Sequence, residues 1–184
     1  MINNRKNYVY KLTVGGLLLA VGIIISRIFH VFATPNIGTV LLPMHISVFI
    51  AGLYLGTYYG TVIGFITPLI NSLFGMPIFP YNLIMAFELA AYGFFAGLSM
   101  DILKKQYMGF RSSLLRVYIS LIISMITGRI VNAFVLFIMV KFFGMNLPAP
   151  ISVIASTITG IPGIIIQLLL VPGIVVALYK MEEK

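Results

Sequence analysis

The chain has 184 residues and a formal net charge of +8, yet 60% of it is hydrophobic, only 9% is charged and its mean hydropathy is +1.09. A soluble fold covers its surface with charged groups, so this composition excludes a soluble globular domain and points to an all-α integral membrane protein. The basic residues stand in short clusters beside apolar runs rather than on an amphipathic face, which fits anchoring at anionic lipid and excludes nucleic acid as a partner.

The N-terminal tail carries Arg5 and Lys6, with Lys11 close behind. A first span is expected at 10–32. It exceeds a signal-peptide apolar region and lacks a small-x-small cleavage site, so it is read as a retained helix. Thr34-Pro35-Asn36-Ile37-Gly38 marks a loop. From Val40 to Phe74 the only acidic or basic residue is His45, and the run is too long for one ordinary helix. The next basic cluster is Lys104, Lys105, Arg111 and Arg116. If it shares a side with Arg5 and Lys6, an even number of crossings separates them, so Val40–Phe74 must cross twice. The break is expected near Gly56-Thr57-Tyr58-Tyr59-Gly60, giving spans at 40–57 and 59–75.

Gly75–Pro80 reads as an outside loop, because Pro77 and Pro80 block a continuous helix. Further spans are expected at 81–103, 114–143 and 151–179, the last kinked by Pro162 and Pro172. Asn146, Pro148 and Pro150 make 144–150 another outside loop, and Lys141 is the one basic residue near that side. Lys180 to Lys184 end the chain on the basic side. The expectation is a single membrane domain over 1–184, a six-transmembrane-helix bundle with cytoplasmic N- and C-termini in a prokaryotic plasma membrane.

An ionisable residue inside a span costs a few kcal/mol at the bilayer centre, so each one implies a pocket or a partner. The candidates are Arg27, His30, His45, Glu88 and Arg129, with Asn71, Tyr92, Asn132 and Gln167 as polar company. At about 1.5 Å per helical residue, almost all of the ionisable set falls in the outer half of the membrane, which implies a polar cavity opening outward. Plainer readings stand beside this one. Glu88 and Arg129 can neutralise each other as a structural ion pair, and Arg27 and His30 can snorkel to headgroups. His45 after Pro43 can be a helix-start hydrogen bonder, and Asn71 and Asn132 can satisfy backbone groups. The two histidines lack i, i+4 ligand spacing, and there is no cysteine, so no metal or cofactor is expected.

In the first span, Gly16 and Ala20 stand four apart among Gly15 and Gly22, a small-xxx-small spacing that lets another helix approach closely. Packing within the bundle and docking of a partner protein both explain it. The chain lacks a G-x-x-x-x-G-K-[ST] phosphate loop, an H-E-x-x-H helix and a G-x-S-x-G elbow, so it is expected to be neither an ATPase nor another enzyme.

Leu42-Pro43-Met44-His45-Ile46-Ser47-Val48-Phe49-Ile50-Ala51-Gly52-Leu53-Tyr54-Leu55-Gly56, then Gly64-Phe65-Ile66-Thr67-Pro68-Leu69, Met85–Gly93 with Gly97, and Gly128-Arg129 resemble the substrate-binding S components of energy-coupling factor (ECF) vitamin transporters. The resemblance spans nearly the whole chain. Gly16-Leu-Leu-Leu-Ala20 is similar to the family's first-helix AxxxA motif, with Gly for the first Ala. It implies a six-helix bundle that captures a vitamin from outside with high affinity. It also implies that Gly16 and Ala20 dock on a transmembrane coupling protein joined to two ABC ATPases, and that the S component topples to release its cargo inside.

If Glu88 balances one arginine, one positive charge is left for an anionic ligand group. That favours a small carboxylate-bearing vitamin such as pantothenate, held by Arg129 or Arg27, and the segments are most similar to the group with pantothenate and cobalamin types. Cobalamin, riboflavin and pyridoxine are the alternative vitamins. The expected substrate-binding set is Arg27, His45, Asn71, Tyr81, Glu88, Tyr92, Arg129 and Asn132, with Thr34–Val40 and Gly75–Tyr81 as lids. The competing classes are a lipid-modifying enzyme and a small channel or solitary secondary transporter. The first lacks a catalytic cluster, and the second would spread polar residues through the full depth.

Overall fold

The computed structural model describes residues 2–32, 40–106 and 110–182, with side chains over 8–29, 40–105 and 113–181. Among these residues there are helices and no strands. They run α1 (Ile2–Phe32), α2 (Pro43–Ile50) continued by a π-helical turn (Ala51–Leu55), α3 (Thr57–Leu73), α4 (Tyr81–Gln106), α5 (Phe110–Phe143), α6 (Ser152–Thr159) and α7 (Ile161–Glu182). Stretches of four are long and apolar enough to cross a membrane: Tyr8–Phe29, Tyr81–Lys105, Ser113–Phe143 and Ile161–Met181. Pro43–Leu55 is a shorter apolar helix.

The run from Pro43 to Leu73 breaks at Gly56, whose φ of 100° lies where only glycine sits without strain. Just before it, the wide turns of the π segment present the Leu53 carbonyl to the Tyr179 hydroxyl, which donates to it at 2.6 Å. Past Gly56 the chain doubles back, so that Gly60 of α3 lies against Gly52 and Asn71 Nδ2 reaches Met44 Sδ at 3.4 Å.

Within the span expected at 151–179, α6 and α7 meet at Gly160, where the backbone stays right-handed (φ −82°, ψ 0°), Gly160 N–H donates to Ser156 O at 3.1 Å and Ile164 N–H donates to Gly160 O at 3.0 Å. Pro162 falls in the first turn of α7. Pro172 lies inside α7.

α4 is the central helix, packed between α3 and α5. Its contact with α3 is backbone against backbone: a Cβ on Gly93 would meet Gly60 O at 2.1 Å, and one on Gly64 would meet Leu89 O at 2.2 Å. Small residues make such approaches possible where lipid supplies no hydrophobic drive for helix association. The main core joins α2, the π turn, α4, α5 and α7 through Val48, Phe49, Leu53, Leu89, Val117, Leu121, Val171 and Val175. A second cluster of Ile84, Leu136, Met139 and Val153 closes the other end. α1 is the least buried of the four long apolar helices. It packs Gly15 against Ile63 and Gly22 against Ser47, while Gly16 and Ala20 face outward and a Cβ on Gly16 would meet nothing within 4 Å.

Candidate functional site

Glu88 and Tyr92 stand four apart on α4, and Arg129 and Asn132 three apart on α5, so each pair shares one face of its helix. The two faces meet. Glu88 is buried and accepts from three side chains: Tyr92 Oη at 2.7 Å and Arg129 Nη1 at 3.0 Å on Oε1, and Asn132 Nδ2 on Oε2. A carboxylate inside an apolar bundle is tolerated when its lone pairs are engaged and its charge is matched, and this one meets both conditions. Gly128 makes the arrangement possible, because a Cβ there would lie 2.1 Å from the Tyr92 ring.

Beside this cluster α2, α4, α5, α6, α7 and the Pro150 turn line an open pocket of about 680 Å³. Most of the wall is apolar, including Phe49, Met125, Ile126, Ile130, Val153 and Ile154. The polar wall is His45, Tyr92, Arg129, Thr157 and Gln167. A mainly apolar cavity of this size with a few convergent polar groups is the usual form of a small-molecule site. Arg129 uses Nη1 on Glu88 and makes no other hydrogen bond among the described residues, so its remaining donors are open to a ligand.

His45 is 3% exposed, and its ring lies 5.3 Å from that of Tyr92. Neither of its ring nitrogens has a hydrogen-bond partner among the described residues. Leu42, also in the wall, adopts φ 49° and ψ 50°, a left-handed conformation that costs a non-glycine residue about 1–3 kcal/mol. Its carbonyl accepts from the His45 backbone N–H at 3.1 Å and from Gln167 Nε2 at 3.4 Å.

Of the residues read from sequence, His45, Glu88, Tyr92, Arg129 and Asn132 come together here, with His45, Tyr92 and Arg129 on the wall. The other three stand apart from the wall. Arg27 lies over the Phe74 ring at 5.6 Å, and Tyr81 is exposed at the start of α4. Asn71 is buried, with Nδ2 donating to Thr67 O at 3.1 Å. The His30 side chain and residues 34–39 lie outside the described residues. No residue of Gly75–Tyr81 lines the cavity; Pro150, Ile151 and α6 do. Gln167 on the wall was legible as a polar residue in an apolar span, whereas Val153, Ile154 and Thr157 carried no signal that sets them apart from lipid-facing residues. Among the described residues no group of three or more His, Asp or Glu side chains is placed to hold a metal ion.

A family model for the ECF transporter, substrate-specific component, matches residues 10–175. No curated protein and no solved structure matches the chain.

Proposed function

The chain belongs to the substrate-specific components of ECF transporters, a family of transport subunits that work with a substrate and an ECF module, and on that premise we propose that it is the membrane-embedded, high-affinity binding subunit of an importer for a water-soluble vitamin. One observation carries the reading: Arg129 stands in the wall of an otherwise largely apolar cavity with guanidinium donors to spare. Glu88 holds the guanidinium in place and leaves those donors for an incoming carboxylate, which Arg recognises in a planar, two-pronged geometry.

Pantothenate is the ligand we propose. Its carboxylate pairs with Arg129, and its gem-dimethyl group packs on Met125, Ile126 and Ile130. Cobalamin, riboflavin and pyridoxine are the alternative ligands. The substrate-binding set that we propose is His45, Glu88, Tyr92, Arg129 and Asn132, with Gln167 added. A ligand-induced thermal-shift screen of the purified chain against the soluble vitamins tests the choice. The expected result is a large upward shift with pantothenate; no shift with it and a large one with another vitamin moves the assignment to that vitamin.

The topology belongs to the same proposal. Six crossings with both ends cytoplasmic are supported by the basic clusters and by the doubling back of Pro43–Leu55 and Thr57–Leu73 at Gly56. ATP hydrolysis is left to the partner ATPases, and Gly16 and Ala20 on the open face of α1 are the docking surface for the coupling protein. Because a Cβ on Gly16 meets nothing, Gly16→Leu with Ala20→Leu leaves the bundle undisturbed. The expected outcome is unchanged vitamin affinity of the isolated subunit with loss of co-purification with the coupling protein and ATPases. Intact assembly of the double variant would remove the docking role.

A further inference from the structure

We propose that Arg27 and the apolar loop joining α3 to α4 form a lipid anchor, in which Arg27 holds a phospholipid phosphate while Met76, Ile78 and Phe79 enter the acyl chains. The proposal rests on the chain spanning a membrane and not on the identity of its ligand.

Position is the first ground. Tyr81 opens α4, and Asp101, which begins its charged end, stands twenty positions further on. At about 1.5 Å per residue that is about 30 Å of helix, the thickness of a hydrocarbon core. Residues 74–81 therefore lie at the hydrocarbon boundary away from Lys104 and Lys105, not out in bulk water.

Composition is the second. From Ile28 to Phe87 the chain has no Lys, Arg, Asp or Glu. Leu73, Phe74, Met76, Ile78, Phe79 and Tyr81 are all exposed, Ile78 and Phe79 by 62% and 61%. An apolar patch of this kind marks a contact surface, and none of these residues lines the cavity. Tyr81 is of the type that settles at headgroup level. The backbone suits the place as well. Pro77 and Pro80 bring no N–H, and the N–H groups of Phe74 and Gly75 donate to Asn71 O and Ser72 O, both at 3.0 Å. Asn82 Nδ2 donates to Ser72 Oγ at 3.3 Å and ties the two flanking helices together.

Charge is the third ground. The Arg27 guanidinium lies 5.6 Å from the centre of the Phe74 ring. It has no ion pair or hydrogen bond among the described residues. Arg27 stands sixteen positions past Lys11, about 24 Å along α1, within snorkelling reach of the same boundary. The anion that every phospholipid carries there is its phosphodiester, which arginine binds through parallel N–H donors. A protein partner would have to match a lone cation beside exposed apolar side chains. One phospholipid molecule does so by itself.

The chain has no tryptophan, so a single substitution makes a depth probe. Phe79→Trp and Ile78→Trp are reconstituted in phosphatidylcholine–phosphatidylglycerol vesicles, with Phe134→Trp, exposed within the α5 span, as the deep reference. Lipid brominated near the headgroup is expected to remove most of the emission of the two loop probes, and more of it than lipid brominated at the chain end. Aqueous iodide should quench them little, and Phe134→Trp should reverse the order of the two lipids. Both leaflets are brominated, so the result does not depend on which way the subunit inserts. Iodide quenching as strong as that of free tryptophan amide overturns the proposal, because the loop is then in water. So does resistance to both quenchers, which puts the loop against a second copy of the chain.

The phosphate contact is read in detergent, as the rise in Tm with phosphatidylglycerol less the rise with diacylglycerol of the same chains. Arg27→Gln is expected to lose part of that difference, while the lysines at the other end of the bundle keep the rest. An unchanged difference overturns the role of Arg27. No vitamin enters these readings, so failure of the vitamin assignment leaves them standing.

Discussion

Glu88→Ala is expected to destabilise the protein by about 3–5 kcal/mol, the usual cost of removing one partner from a buried ion pair, and to abolish vitamin binding. Three side chains converge on this carboxylate, and its removal strands the Arg129 guanidinium, which is only 18% exposed, in an apolar bundle. Tyr92 and Asn132 lose their acceptor in the same step. The double variant Glu88→Ala/Arg129→Leu removes the stranded charge and is expected to recover most of the stability while recovering none of the binding. Thermal unfolding and calorimetry on the two single variants and the double complete the cycle. A double variant no more stable than Glu88→Ala would show that charge matching is not what Glu88 supplies.

Gly93→Ala is the second change with a large expected effect. The new Cβ would stand 2.1 Å from the Gly60 carbonyl oxygen and 2.2 Å from its carbon, and backbone cannot rotate away as a side chain can. α3 and α4 must separate, which opens the longest contact in the bundle and shifts the neighbouring Tyr92. The expected loss is about 3 kcal/mol or more, at or above the upper end for overpacking in a well-packed interior. Gly16→Ala is the matched control. It adds the same methyl to a helix but into open space, so it should leave Tm unchanged or raise it slightly through better helix propensity. A Gly93→Ala variant as stable as wild type would mean that the close approach of α3 and α4 is not required.

The two glycines look alike in sequence, both in apolar helical runs with small neighbours. Only the fold separates Gly93, jammed against another backbone, from Gly16, which faces outward. The same holds for the two membrane arginines. In sequence both are candidates for a ligand carboxylate, because a guanidinium costs the same in either span. In the fold one pairs with Glu88 at the cavity and the other lies on Phe74.

What the sequence determined by itself was whatever depends on transfer into lipid. Apolar runs long enough to span, the glycine break at Gly56 and the short list of side chains too costly to leave in hydrocarbon are all local properties of the chain. Hydropathy sums over neighbours in sequence, so these were legible without a fold. Tertiary structure alone decided which costly side chains meet, and that Gln167 holds the Leu42 carbonyl, three residues before His45, across 125 positions of chain. The physical reason is that hydrogen bonds and close contacts reach only a few ångströms. Two helices must first be packed in a given register and rotation before Glu88, Tyr92, Arg129 and Asn132 become one cluster rather than four separate liabilities.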